Sequence, residues 1–316
     1  MGPVYFIEEP FWPHDTSLWV SEFKGSFPKF VWYFLQHMKL ERFDEASSVP
    51  TLNRNNVHRR RCVFPPLPEQ RKIADILSTW DAAIEKTEAL LATAKAQKRA
   101  LMQSLLTGKR RFPEFEGQDW KEVRFEEVFS RVRRKNAVGN DNVLTISAQH
   151  GLVSQEKYFN KRVAANDLSG YTLLHHGDFA YNKSYSQGYP LGAIKMLEVD
   201  EPGVVSSLYL CFALTDRAAH SREFFRHFFE AGQFNREIYK VAQEGARNHG
   251  LLNVSATDFF RAQLRIPDLE EQRLIARAIG SAEVEEEVHR RERMKLRTEK
   301  KALMQQLLTG KRRVVV

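Results

Sequence analysis

Cysteine is scarce in this chain of 316 residues: only Cys62 and Cys211 occur, at non-equivalent places of an internal repeat. That argues against a disulfide framework and against a metal cluster. Two buried free thiols in a cytosolic protein are the simple reading. Long apolar runs are missing as well, none approaching the ~18 residues that span a bilayer. The opening MGPVYFIEEPFWPHD lacks the basic-then-apolar order of a secretory signal. A cytoplasmic protein with no membrane partner is expected. Catalytic signatures are equally absent: there is no Gly-rich phosphate loop and no Asn-Pro-Pro-aromatic motif. A nuclease-like Pro267-Asp268 … Glu299-Lys300-Lys301 can be assembled from the letters, but its carboxylates fall at opposite ends of one rod, too distant to share a metal. No catalytic residue, no metal ligand and no cofactor bound by this chain are therefore assigned.

What is present is a long-period repeat. Ala100–Arg111 reads ALMQSLLTGKRR and Ala302–Arg313 reads ALMQQLLTGKRR, identical at eleven of twelve positions and 202 residues apart. The same offset aligns Glu69-Gln70-Arg71 with Glu271-Gln272-Arg273, and Ile73-Ala74 with Ile275-Ala276. Solenoid repeats run to a few tens of residues, so this period marks two copies of one large unit. An approximate internal two-fold follows, and a partner with two spaced half-sites fits it. The second copy begins near Pro113. Projecting that start back by the offset places the first copy's beginning roughly 90 residues before Met1. The first unit is thus expected to be N-terminally incomplete, with Ser17-Leu18-Trp19-Val20 matching Ser207-Leu208-Tyr209-Leu210 through gaps. A genuine short product, a misplaced start and a degraded frame all stay open.

Each copy ends in a helical stretch. About forty residues between Pro68 and Gly108 contain neither Pro nor Gly, a rod of roughly 60 Å with Pro in its first turn and Gly as its stop. Ile73, Leu77, Trp80, Ile84, Thr87, Leu91, Ala94, Lys98, Leu101 and Leu105 alternate at spacings of four and three, a heptad seam with one polar interruption. Such a stripe needs a partner helix. The equivalent positions of the second copy are Ile275, Ile279, Ala282, Glu286, His289, Arg293, Leu296, Lys300, Leu303 and Leu307, apolar at the ends and polar between. An antiparallel pair within the chain is expected, packed firmly near the ends, with pairing between two chains as the alternative. His289 has no second His or Cys at helical spacing and reads as a polar seam residue rather than a ligand.

From Pro113 to about Arg265 the texture is α+β. Strands are expected at Val143–Ser147, Asp178–Tyr181 and Val204–Phe212. A helix over Ser221–Phe234 carries Phe224, Phe225, Phe228 and Phe229 as a core stripe. Net charge is +8, a weak pointer to a polyanion. Arg131–Lys135 and the twin Lys-Arg-Arg ends concentrate that charge, although basic helix ends also complement the helix dipole. Two loops combine amides, aromatics and cations: Tyr181–Pro190, with Asn182, Lys183, Tyr185 and Gln187, and Glu244–Gly250, with Arg247, Asn248 and His249. Such side chains reach phosphates and base edges; the alternative is an ordinary structured loop.

The order of a globular α+β unit, Pro-x-Leu-x-Glu-Gln-Arg and a long helix ending in Leu-Leu-Thr-Gly-Lys, then repeated, resembles the specificity subunits of type I restriction-modification systems. Pro65–Arg71 with its copy Pro267–Arg273, and the doubled Leu-Leu-Thr-Gly-Lys, carry the resemblance. It implies target recognition domains joined by two long helices pairing as an antiparallel coiled coil. Residues 1–61 would be the remnant of a first recognition domain, 62–112 the first helix region, 113–265 a complete second domain and 266–316 the second helix region. It further implies binding of double-stranded DNA at a bipartite target, with each domain reading one half. Two modification (methyltransferase) subunits would dock on the helices, accompanied by restriction/translocase subunits. S-adenosylmethionine, ATP and magnesium would serve those partners. The pairing and docking candidates are Ile73, Leu77, Trp80, Ile84, Leu91, Leu101, Leu105, Ile275, Ile279, Leu303 and Leu307. A homodimer reading a symmetric target, a non-functional or donor copy, and a coiled-coil adapter remain the alternatives.

Overall fold

A computed structural model of the chain describes residues 4–14, 17–43, 52–161, 163–244 and 252–315. They fall into two compact units, one built from residues 1–95 with 285–316, the other from residues 96–284. No helix among the described residues is long and apolar enough to cross a membrane.

In the first unit α1 (Pro28–Met38) and the short α2 (Arg54–His58) precede α3 (Leu67–Leu105), whose first part belongs here. Phe30 and Tyr33 on α1 pack with Ile73, Ala74 and Leu77 of α3 and with Leu307 and Leu308, near the end of the last helix of the chain (Leu269–Leu308). Further along α3, Asp81 pairs with Lys300 and Glu88 with Arg297. Numbers rise on one helix as they fall on the other, so the pair is antiparallel. The Tyr33 hydroxyl, within this apolar cluster, donates to Asp81 Oδ2 at 2.6 Å.

The second unit holds the sheets. It runs β1 (Lys121–Arg124), α4 (Phe125–Val128), β2 (Phe129–Arg131), β3 (Leu144–Ser147), β4 (Gly151–Ser154), α5 (Gln155–Phe159), β5 (Thr172–Leu174), β6 (Phe179–Asn182), β7 (Ala193–Met196), β8 (Gly203–Val205), β9 (Leu210–Leu214), α6 (Arg222–Glu230), α7 (Asn235–Val241), β10 (Gln243–Glu244), β11 (Leu252–Asn253), α8 (Ala256–Arg261), β12 (Gln263–Ile266) and the start of α9 (Leu269–Leu308). The central sheet is antiparallel, in the order β2-β9-β6-β7. Successive strand side chains point to opposite faces, and here both faces are buried. Phe179 and Tyr181 on β6, with Leu210, Phe212 and Leu214 on β9, join the aromatic core with Phe125, Phe129, Phe225 and Phe229. The alternate residues Ala180 and Cys211 are small and meet Leu144, Leu174, Leu197 and Val205. Bulky and small residues alternate because helices cover one face and β-structure the other.

Both long helices stop alike. Gly108 and Gly310 take positive φ, and the amides of Arg110 and Arg312 reach back to Ser104 and Gln306 at 3.1 Å, a left-handed closure that glycine enters without a Cβ penalty.

Three expectations need correction. Val204–Phe212 is not one strand: β8 pairs with β5, β9 pairs with β2 and β6, and a turn at Ser206–Tyr209 separates them. The Ser206 hydroxyl accepts the Leu208 amide at 3.3 Å, a local bond that competes with the ladder and leaves Leu208 exposed. The helix expected over Ser221–Phe234 ends at Glu230, although Phe234 beyond it is still core. Finally, Cys62 is exposed, while Cys211 is buried. Burial pushes the Cys211 thiol up to about 12, so it is inert at neutral pH.

Candidate nucleic-acid interface

The β6–β7 hairpin pairs Asn182 with Ala193, leaving residues 183–192 as its connection. At Gly192, φ is +78°, and a Cβ would stand 2.2 Å from the Asn182 carbonyl oxygen and 2.8 Å from the Tyr181 ring; only glycine closes this hairpin. Inside the loop Ser186 and Tyr189 bridge each other. Tyr181 donates to the Leu191 carbonyl at 2.9 Å. Tyr189 donates to Glu230 on α6, and Lys195 pairs with the same carboxylate. The loop is thereby stapled at both ends, with Tyr185, at 63% exposure, and Gln187 standing out from it.

Asn182 and Lys183 are differently employed. The Asn182 side-chain oxygen accepts the Ser184 amide at 3.1 Å. Lys183 lies half-buried, and its ammonium donates to the Val254 carbonyl at 2.7 Å, while its own carbonyl accepts the Leu252 amide at 3.1 Å. Burial, and then the positive charge of Arg131, hold the Lys183 pKa below the usual lysine value. Arg247, Asn248 and His249 lie outside the described residues. Their flanks do not: β10 pairs antiparallel with β11, and β11 is bonded to Lys183. Two polar loops sixty residues apart in sequence thus spring from one base, beside the cations Lys183 and Arg131. Of the remaining basic cluster, Arg133 is exposed, Arg134 is committed to Asp178 and Lys135 to the Gly170 carbonyl at 2.8 Å.

Along the helix seams, Ile73, Leu77, Leu91, Leu105, Ile275, Ile279 and Leu307 are buried, and Trp80, Ile84, Leu101 and Leu303 half-buried. His289 is half-buried. Among the described residues no group of His, Cys, Asp and Glu is arranged to hold a metal ion.

One arrangement escaped the sequence reading although its letters were in view. In the second unit Gln272, at the start of α9, donates to the Pro267 carbonyl at 2.9 Å and accepts the amide of Ser221, the N-cap of α6, at 2.9 Å. In the first unit Gln70 donates to Pro65 at 2.8 Å and accepts the amide of Phe27, the N-cap of α1, at 2.8 Å. Beside them Glu271 takes Arg111 in a bidentate pair at 2.5 and 2.7 Å, and Glu69 takes Arg313 at 2.7 and 2.5 Å. Each Glu-Gln pair therefore fixes one globular helix and the tail of the other long helix onto a helix start. The 202-residue offset relates both pairs, and that identity of spacing was the available signal. The likeness extends to Tyr33 with Asp81, whose places are held by His227 with Glu283 at 3.8 Å.

Residues 1–96 match the family described as the type I restriction modification DNA specificity domain. The type I restriction enzyme MjaVIII specificity subunit of Methanocaldococcus jannaschii is 25% identical over 307 residues, covering 89% of this chain and 68% of that protein. Among solved structures, the type I restriction-modification S subunit from M. genitalium is 13% identical, with a TM-score of 0.52 over 88% of this chain and 72% of its own. A chain from a structure of type I restriction-modification complex assembly is 15% identical, with a TM-score of 0.51 over 90% and 72%. The chain is thus similar in sequence to a specificity subunit of a type I restriction-modification system, and shares its fold with solved chains of such systems.

Proposed function

We propose that this relative of type I specificity subunits is the DNA-reading component of a restriction-modification complex. It performs no chemistry itself; adenine methylation and restriction fall to partner subunits, with their S-adenosylmethionine, ATP and magnesium. Residues 113–265 are the recognition domain for one half of a bipartite target, residues 1–61 the C-terminal part of another, and 62–112 with 266–316 the helical frame on which two modification subunits dock. The observation that carries this reading is the common base of the two polar loops, where Lys183 bonds to Leu252 and Val254 beside Arg131. Cations at such a base attract phosphate, and the projecting Tyr185 and Gln187, with Arg247 and Asn248 of the second loop, supply base contacts; phosphate contacts position and base contacts specify.

The doubled Glu-Gln joint supports two equivalent platforms and hence two half-sites. A second reading is favoured by one observation: among the described residues the first unit contains no named strand, whereas the second holds a complete sheet. One reading domain per chain, doubled in a homodimer, would recognise a symmetric target. The test is to map methylated adenines genome-wide in cells carrying this gene with its methyltransferase partner, against cells lacking only this gene. A motif that vanishes on deletion is expected. An asymmetric bipartite motif supports two different domains and a palindromic one the homodimer. Retention of every motif, with the protein expressed, would overturn the reading and leave an adapter or an inactive copy.

A further inference from the structure

The first unit contains a basic pocket that its scaffold does not require. Asn53–Arg61 reads NRNNVHRRR, four arginines and a histidine in nine residues without an acid. This segment forms α2, whose N-cap Asn53 accepts the Asn55 amide at 3.0 Å. With the single turn Leu40–Phe43 it borders an open, solvent-facing depression of about 320 Å³ lined by Arg42, Phe43, Asn56, Arg59 and Arg60. The Arg60 guanidinium lies over the Phe43 ring, 5.0 Å from its centre, which orients the planar cation while leaving its N–H donors free to point elsewhere. The three arginines are exposed, and among the described residues none meets a carboxylate at ion-pair distance. In the same wall the Asn56 amide nitrogen is buried without an acceptor.

The repeat isolates what is peculiar here. At the 202-residue offset the segment corresponds to Ser255–Gln263, SATDFFRAQ, which forms the equivalent helix α8 with one arginine and with Asp258 in the place of Asn56. The helix thus forms without these charges, and a structural need does not account for them. At the same offset the second polar loop, residues 244–250, corresponds to residues 42–48, so Arg42 falls at the start of its counterpart and Arg59 and Arg60 come after it in sequence.

We propose that this pocket is a phosphate site, in which Arg42, Arg59 and Arg60 hold backbone phosphodiesters of the bound duplex and position the first unit on DNA without reading its sequence. Guanidinium forks match phosphate oxygens two N–H at a time, and such contacts carry affinity rather than base choice. The proposal rests on the DNA-binding reading above. Its test is the variant Arg42→Gln/Arg59→Gln/Arg60→Gln in the full chain, with folding checked by circular dichroism. Duplex affinity is measured from 50 to 200 mM salt. Loss of two or three phosphate contacts should flatten the logarithmic salt dependence by about 2 to 3, so that the wild-type advantage shrinks about 10- to 40-fold across that range, equally on target and non-target duplexes. An unchanged slope would overturn the assignment. Protection of these arginines from phenylglyoxal by inorganic pyrophosphate, with the slope unchanged, would assign the pocket to free phosphate groups and overturn the duplex assignment. Should the wild-type chain bind no duplex at any salt, the DNA reading itself fails. Pyrophosphate protection then decides alone whether the pocket takes phosphate, and its absence overturns that too.

Discussion

Glu271→Ala should be among the most damaging substitutions in the second unit, and the structure says why. Glu271 is 1% exposed and Arg111 is 16% exposed in its side chain. Both carboxylate oxygens are engaged by the guanidinium, and one also accepts the Trp120 indole at 3.2 Å. Arg111 in turn lies near the Trp120 ring, 5.8 Å from its centre. Removing the carboxylate leaves a mostly buried guanidinium with only the Gln118 carbonyl and a buried indole N–H without its acceptor, a loss of about 3–5 kcal/mol for a broken buried pair. Arg111→Ala should cost a similar amount. The double variant should cost much less than the sum, because neither charge is then left alone, giving a coupling of about 2–3 kcal/mol. Glu69 and Arg313 are the same letters at the same spacing, but the Arg313 side chain is 66% exposed. Their coupling should be smaller and should fall with added salt. Urea unfolding of the two double-mutant cycles, followed by circular dichroism at two salt concentrations, measures both. If the 111–271 coupling is below about 0.5 kcal/mol, or no larger than the 69–313 coupling, the argument from burial is wrong.

Gly192→Ala should destabilise the second unit by at least about 2 kcal/mol, since it adds both an unfavourable φ and a clash with the Asn182 carbonyl; an unchanged melting temperature would refute the hairpin geometry. His227 is buried beside Arg226, Glu283 and Lys98. Burial first, then Arg226, pushes its pKa down from 6.5 to about 4. The folded state therefore holds it neutral while the unfolded chain takes up a proton below pH 6.5. Stability should fall as pH drops from 6.5 toward 4, by at most about 3 kcal/mol, and no further contribution should be lost below that. His227→Gln should flatten that slope, and a wild-type slope in the variant would exclude His227 as its source. Gln187→Ala should relax preference at one base pair by about 1–3 kcal/mol while leaving thermal stability within about 0.5 kcal/mol, and Arg247→Ala should relax preference by a similar amount; equal weakening on every duplex, in a competition titration, would make them phosphate contacts instead.

The sequence by itself determined the elements whose cause is periodic or local. A span of about forty residues without Pro or Gly, a four-three apolar seam and a Thr-Gly stop suffice for the first long helix, and the 202-residue repeat carries the same ends to the second, which runs on through Gly280 and a polar middle. The α+β character of the globular part follows from its short, turn-bounded apolar segments. Sequence also located two polar loops and an unusual Glu-Gln-Arg repeat. Tertiary structure alone decided what those residues touch. Val204–Phe212 reads as one strand by composition, yet the Ser206 hydroxyl captures a nearby amide and divides it between two sheets. The polar loops share a base only because β6 and β11 are brought to Lys183, a pairing with no trace in either segment. Glu271 finds Arg111, and Glu69 finds Arg313, across 160 and 244 residues. That pairing is set by the antiparallel register of two helices, and electrostatic attraction between identical letters could not have chosen it. Identical motifs then differ in strength because water reaches Arg313 and is kept from Arg111. Burial is a property of everything packed around a residue, and no window of sequence contains it.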